Sequence, residues 1–372
     1  MTRRDILNAA GSAALMSQLA GNASAEAVPN PKGKLGMGGA PTAFGARNGG
    51  TRGARGGRGA GPAVPGGSRA ANFVPPPFSD EFFEYCHGLG LGGAEMGNTP
   101  SDPETIGKFK EKIQQYNMHV IFNVPLPRTE ADVDRFEAGV KVAKDLGAYS
   151  LHASLTGRRY EDMKTLADYR ASFENNQKMV ALATPIVNKH KVRLALENHK
   201  GWSAGEQAAW MKRIGSDYVG VHFDFGNNVS FLEDPMYTLE TLKPWIVGAH
   251  IKDMGIQPYD EGFLLSEVPF GEGFLDLKKM VDILRQKDPN MVFDLEMITR
   301  DPLKVPIYSD QYWVTFKETP PQQVAKFMEL MQKKASKKAL PATAGLEGPA
   351  RQKLEEDYNL ACIRYARQNL GL

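Results

Sequence analysis

Cysteine is scarce: Cys86 and Cys362 are the only two in 372 residues. Two thiols so far apart exclude a disulfide framework, and a structural zinc site built on thiolates is disfavoured with it. An excess of one charge is also lacking. Lysine and arginine number 45 against 43 acidic residues, a formal net charge of +2, which argues neither for nor against a charged partner. No apolar run is long enough to span a bilayer. The nearest, Ala9 to Ala20, is short and rich in alanine, glycine and serine.

What is present begins with the amino terminus. Thr2-Arg3-Arg4-Asp5-Ile6-Leu7 precedes that apolar stretch, and Ala23-Ser24-Ala25 offers a small-residue cleavage site. This order predicts a twin-arginine signal peptide over residues 1–25, a periplasmic or secreted destination, and no membrane attachment after cleavage. Residues 26–72 are dominated by Gly, Ala, Pro and Arg, with Arg47, Arg52, Arg55 and Arg58 among glycines. No aromatic residues are interleaved for base stacking, so the segment is read as a flexible insertion and no nucleic-acid partner is expected. Part of it, near residues 34–44, reads as a short first strand.

From Ser79 the pattern becomes an alternation of helices and strands. Helices are expected over 79–89, 102–116, 130–146, 160–189, 204–213, 238–242 and 277–286, and strands over 93–97, 119–124, 149–155, 192–197, 218–224, 246–251 and 291–297. Seven strands, or eight with the stretch near 34–44, predict an α/β protein with a parallel sheet. Eight units close most naturally into a (β/α)8 TIM barrel, here over 73–335, with flanking helices in a C-terminal extension over 336–372. A doubly wound sheet is the competing arrangement, but no glycine-rich phosphate fingerprint follows the first strand.

In such barrels the chemistry sits at the C-terminal strand ends. Leu194-Ala195-Leu196 ends in Glu197, Val221-His222-Phe223 in Asp224, Val247-Gly248-Ala249 in His250 and Phe293-Asp294-Leu295 in Glu296. The steps of 27, 26 and 46 residues each allow one unit, the longest leaving a loop over 253–272. One buried acid or histidine is ordinarily a hydrogen-bonded core residue. Four together would repel and suffer desolvation unless a cation joined them. Three carboxylates and an imidazole suit one hard or borderline divalent ion, Mn²⁺ first, with Mg²⁺, Co²⁺ or Zn²⁺ open.

Leu196-Glu197-Asn198-His199-Lys200, Phe223-Asp224-Phe225-Gly226-Asn227, His250-Ile251-Lys252-Asp253, Gly271-Glu272-Gly273 and Leu295-Glu296-Met297 together resemble the xylose-isomerase-like TIM-barrel family of sugar isomerases and epimerases, across roughly 79–300. The resemblance implies one metal held by Glu197, Asp224, His250 and Glu296, with Glu197 and Glu296 also exchanging protons on a sugar through an enediolate. The family's ketose 3-epimerases carry a histidine where Asn227 stands, a departure that leaves the substrate open. His152, His199, Lys200, Asn227, Lys252 and Arg300 are the candidate substrate contacts. Bland alternatives are a Lys252–Asp253 pair, an Arg300–Asp301 pair, and a structural hydrogen-bonding role for Glu95. Trp202 is read as either a sugar-stacking or a packed side chain. Export favours a non-phosphorylated sugar or keto-sugar. A lyase or hydratase acting on 3-keto-glycosides, or a non-catalytic sugar-binding barrel, uses the same residues. A homo-oligomer is left open.

Overall fold

The computed structural model describes residues 36–47, 76–316 and 318–372. The expected signal peptide and most of the Gly/Arg-rich segment lie outside the described residues, as do Lys34 and Leu35 of the expected first strand. Eight parallel strands close a barrel. They are β1 (Gly38–Gly39), β2 (Gly93–Met96), β3 (His119–Phe122), β4 (Ser150–Ala153), β5 (Leu194–Glu197), β6 (Val219–Asp224), β7 (Ile246–Ile251) and β10 (Phe293–Leu295), which pairs back onto β1. Two further strands, β8 (Asp253–Tyr259) and β9 (Gly262–Val268), leave the barrel after β7. They form a three-stranded antiparallel sheet with β11 (Leu303–Val305). The stretch expected to be a loop over 253–272 is therefore mostly sheet.

Local chemistry sets the helix starts. Ser79 Oγ accepts from Phe82 N–H at the head of Asp80–Gly88. Thr165 with Asp168, and Ser203 with Glu206, form reciprocal capping boxes, each cap being worth about 1 kcal/mol. The first of these boxes explains a second difference. The single helix expected over 160–189 is split into Arg159–Asp162 and Leu166–His190, because Thr165 is extended (φ −136°, ψ 162°) to cap the longer piece.

The first strand is only two glycines long, and the chain turns at once into a 3-10 helix over Pro41–Phe44. The C-terminal helix Gly348–Tyr365 holds that corner. Asn359 Nδ2 donates to Ala43 O at 2.7 Å, and the Glu355 carboxylate accepts the N–H groups of Ala46 and Arg47 at 2.8 and 3.3 Å. The extension is thus part of the barrel's closure. No described helix is long and apolar enough to cross a membrane.

Side chains alternate across a strand. Val120, Leu151, Leu196, Val221, Phe223, Ile251 and Leu295 face the helices and are buried. The inward set mixes small residues (Gly38, Gly93, Ala195, Gly248) with Glu95, His119, His152, Glu197, His222, Asp224, His250, Asp294 and Glu296. At the N-terminal floor, His119 Nε2 lies 3.0 Å from Asp294 Oδ1. The glycines make that possible. A Cβ at Gly93 would stand 2.3 Å from the His119 ring, and one at Gly38 would stand 1.9 Å from Asp294 Oδ1.

Gly38→Ala is therefore expected to cost about 1–3 kcal/mol through overpacking. Gly107→Ala, on an exposed helical site with open space at the Cβ, is expected to gain about 0.5–1 kcal/mol. Urea unfolding midpoints read the difference, and equal shifts would contradict the packing account.

Candidate metal centre

Glu197 and Asp224 are the last residues of β5 and β6, His250 is the penultimate residue of β7, and Glu296 directly follows β10. All four are at most 2% exposed. They offer ligand atoms that all lie within 4.8 Å of one another. That spread matches one ion with ligands at about 2.0–2.4 Å, since opposite ligands then stand twice that distance apart.

Lys252 reaches into the same cluster. Its ammonium is 2.7 Å from Asp224 Oδ1 and 2.8 Å from Glu296 Oε2. Asn227 ties the group together. Its amide nitrogen donates to Asp224 and, at 3.4 Å, to Glu197 Oε1, while its oxygen accepts from Lys200 and, at 3.2 Å, from Lys252. Thr42, from the turn after β1, donates to Glu296 Oε1 at 3.0 Å. Asn198 bonds both backbone groups of Asp224, donating to its carbonyl and accepting from its N–H.

A second group adjoins the first through His250. Glu95, His152, His222 and His250 also offer ligand atoms within 4.8 Å of one another. Glu95 Oε2 is 2.6 Å from His250 Nε2, and Asn123 Nδ2 donates to Glu95 Oε1 at 2.9 Å. His152 Nδ1 is 2.8 Å from Asn123 Oδ1, and its Nε2 is 3.6 Å from Glu197 Oε2. A carboxylate on the far nitrogen of a ligand histidine fixes its tautomer and raises its basicity, so the structural hydrogen-bonding role read for Glu95 falls directly on His250.

The electrostatics follow from burial and charge. Burial opposes charge on His250, but Glu95 and Glu296 outweigh it and raise its pKa to about 10. His152 is raised to about 9 in the same way by Glu95 and Glu197. Burial would also raise Glu296, yet Lys252 and His250 hold it well below the usual carboxylate range. For Asp224, burial outweighs Lys252, and its carboxyl is pushed well up. Lys200 is lowered to about 7 by burial and by the charge of Lys252. The donor set is oxygen-rich with one imidazole, and His250 Nδ1 is buried with no hydrogen-bond partner among the described residues. These residues fit a divalent ion.

Of the expected substrate contacts, Lys200, Asn227 and Lys252 join the cluster, and His152 lies against Glu197. Arg300 is held instead by the buried Glu267, with Nε at 3.1 Å and Nη2 at 2.6 Å from its two oxygens. His199 faces the Gly157 carbonyl at 3.2 Å. Neither bland ion pair forms. Lys252 bonds Asp224 and Glu296, while Asp253 accepts the N–H groups of Met254, Gly271, Gly273 and Leu275. Asp301 accepts from Thr343 and Ala344. Trp202 is a packed side chain, edge-on to Trp210 at 5.1 Å. Sequence reasoning missed Thr42, Asn123, Asn198 and His222. Of these, only His222 had a readable signal, since it stands two residues before Asp224 on the same strand face.

The sequence profile of the family described as xylose isomerase-like TIM barrel matches residues 83–333. None of the curated proteins matches the chain. Among solved structures, the chain is similar to a D-psicose 3-epimerase crystallised in the presence of D-fructose (13% identity, 78% of this chain and 93% of that one, TM-score 0.47). An L-ribulose 3-epimerase aligns at 14% identity over 79% of this chain and 93% of its own, with a TM-score of 0.45. A 3-keto-D-glucoside 4-epimerase from E. coli aligns at 13% identity over 68% and 95%, with a TM-score of 0.43. Likeness at that level does not transfer a substrate.

An ion ligated by His250 must displace its proton. Calorimetry at pH 7.5 in buffers of different ionisation enthalpy should therefore register proton release on Mn²⁺ binding, and the affinity should climb as the pH approaches 10. In the metal-free protein the raised histidines stabilise the fold fully below 6.5, and this contribution fades as pH rises through about 9 to about 10. Binding without proton release would contradict the assignment of His250.

Proposed function

The chain belongs to the xylose isomerase-like TIM barrel family, and from that premise we propose a divalent-metal-dependent sugar isomerase or epimerase. It acts by proton transfer through an enediolate on a non-phosphorylated sugar or keto-sugar. One observation carries the reading. Two buried glutamates, Glu197 and Glu296, flank Asp224 and His250 at the C-terminal ends of the strands, all within one ion's coordination radius.

A divalent ion, manganese first, held by Glu197, Asp224, His250 and Glu296 would polarise a carbonyl and offset charge developing on its oxygen. Around that centre the chain's own groups divide the work. Glu197 and Glu296 approach from strands separated by β6 and β7. One can take a proton from the carbon beside the carbonyl while the other returns one to the opposite face. Asn227 donates to Asp224 and Glu197, Lys252 pairs with Asp224 and Glu296, and Glu95 holds His250 in orientation. The non-phosphorylated choice rests on the signal expected at residues 1–25, and a periplasmic or secreted location is proposed on the same ground.

A second reading, β-elimination from a 3-keto-glycoside, is favoured by Lys200. An amine lowered to about 7 can give a proton to a departing oxygen, which a simple epimerisation does not need.

Exhaustive chelation should abolish incorporation of solvent deuterium into free and 3-keto sugars, and Mn²⁺ should restore it. Glu296→Gln and Glu197→Gln should each lower turnover about 10²–10⁴-fold. Full activity after chelation, or in Glu296→Gln, would sink the proposal. Release of an aglycone, suppressed by Lys200→Met, would select the elimination reading.

A further inference from the structure

Beneath the carboxylate cluster the barrel interior holds a histidine that the proposed reaction does not use. His222 is fully buried, and neither of its ring nitrogens has a hydrogen-bond partner among the described residues. Its ring centroid is 4.2 Å from that of His250 and 4.6 Å from that of His152. A neutral imidazole always carries one N–H and one lone pair. Leaving a buried polar group unpaired costs about 1–3 kcal/mol, so an orphan histidine inside a barrel calls for a partner.

The neighbours suggest which partner. Asn123 Nδ2 donates to Glu95 Oε1 and to the Met96 carbonyl, so its Oδ1 is an acceptor. His152 Nδ1 must then carry the hydrogen that bonds it at 2.8 Å, which leaves Nε2 as the nitrogen available to a further partner. That nitrogen has no hydrogen-bond partner. His250 points one ring nitrogen at each group: Nε2 is 2.6 Å from Glu95 Oε2, and Nδ1 is 3.8 Å from Glu296 Oε2.

We propose that Glu95, His152, His222 and His250 form a second cation site, one layer deeper in the barrel than the carboxylate cluster. Three imidazoles and one carboxylate make a borderline donor set. It suits Zn²⁺ and its transition-metal neighbours over Mg²⁺ or Mn²⁺, whereas the oxygen-rich upper cluster takes the harder ions. Four ligand atoms within 4.8 Å of one another are compatible with four-coordinate geometry. An ion there takes the place of the proton between Glu95 Oε2 and His250 Nε2, and that proton leaves to solvent; with both sites filled the Nδ1 proton leaves as well, and His250 joins the two ions as an imidazolate. The two sites share His250, but the deep site does not depend on the catalytic reading.

The test uses the full chain, stripped by chelation and titrated with Zn²⁺ or Mn²⁺, with bound metal counted by elemental analysis after desalting. Wild type should retain two equivalents of zinc and one of manganese. His222→Leu should lose one zinc equivalent, keep the manganese, and be more stable than wild type without metal, because an unpaired polar group has gone. Asn123→Leu should weaken the second zinc about 10–100-fold by freeing the His152 tautomer. Glu296→Gln should do the reverse of His222→Leu, losing the manganese and keeping the deep zinc, so the two sites fail separately. A single zinc equivalent in wild type, or two in His222→Leu, overturns the proposal. Should His222→Leu not fold, the wild-type stoichiometry alone decides.

Discussion

Three buried carboxylates within one ion's reach of each other set the terms for the rest of this molecule. In a low-dielectric barrel mouth, Glu197, Asp224 and Glu296 cannot all remain charged without cations beside them. In the metal-free arrangement the compensation comes from the Lys252 ammonium between Asp224 and Glu296, and from a proton on His250. Asn227 can then serve four groups at once, because the lysines need acceptors and the acids need donors. The residue that departs from the family's epimerases is thus the hub of the local network. An ion held by the cluster would take over the role of Lys252 and free its ammonium from the two acids.

That demand reaches down the barrel. An interior built from layers of branched apolar side chains could not host it. Here glycine and alanine at inward positions make room for histidine and carboxylate pairs, from His119–Asp294 at the floor to Glu95–His250 below the mouth. The apolar core lies outside the strands, under the helices. His250 is the joint between layers, one ring nitrogen toward each acidic group, so its protonation couples the two.

Much of this was legible in the sequence. The helix and strand periods gave the barrel, and residues at strand ends gave Glu197, Asp224, His250 and Glu296, because position on a strand determines where a side chain points. Pairings between distant segments were not legible. Arg300 found Glu267, which sits on β9 inside the stretch read as a loop over 253–272. Pro258 is tolerated because β8 is the edge of its sheet and its missing N–H breaks no ladder bond. Likewise β1 is too short to have a period, and it is a strand because β2, β10 and the C-terminal helix hold it in place. His222 lies one layer below the strand end where barrel chemistry is expected, although alternation places it on the same face as Asp224 two residues later.

The central claim is that the four strand-end residues bind one divalent ion. Anomalous diffraction at the manganese edge, from crystals of chelated protein soaked in Mn²⁺, tests it most directly. The account predicts a peak at about 2.0–2.3 Å from Glu197, Asp224, His250 and Glu296, with the Lys252 ammonium moved off the two acids. A map with no peak there, and Lys252 still bridging Asp224 and Glu296, would contradict it.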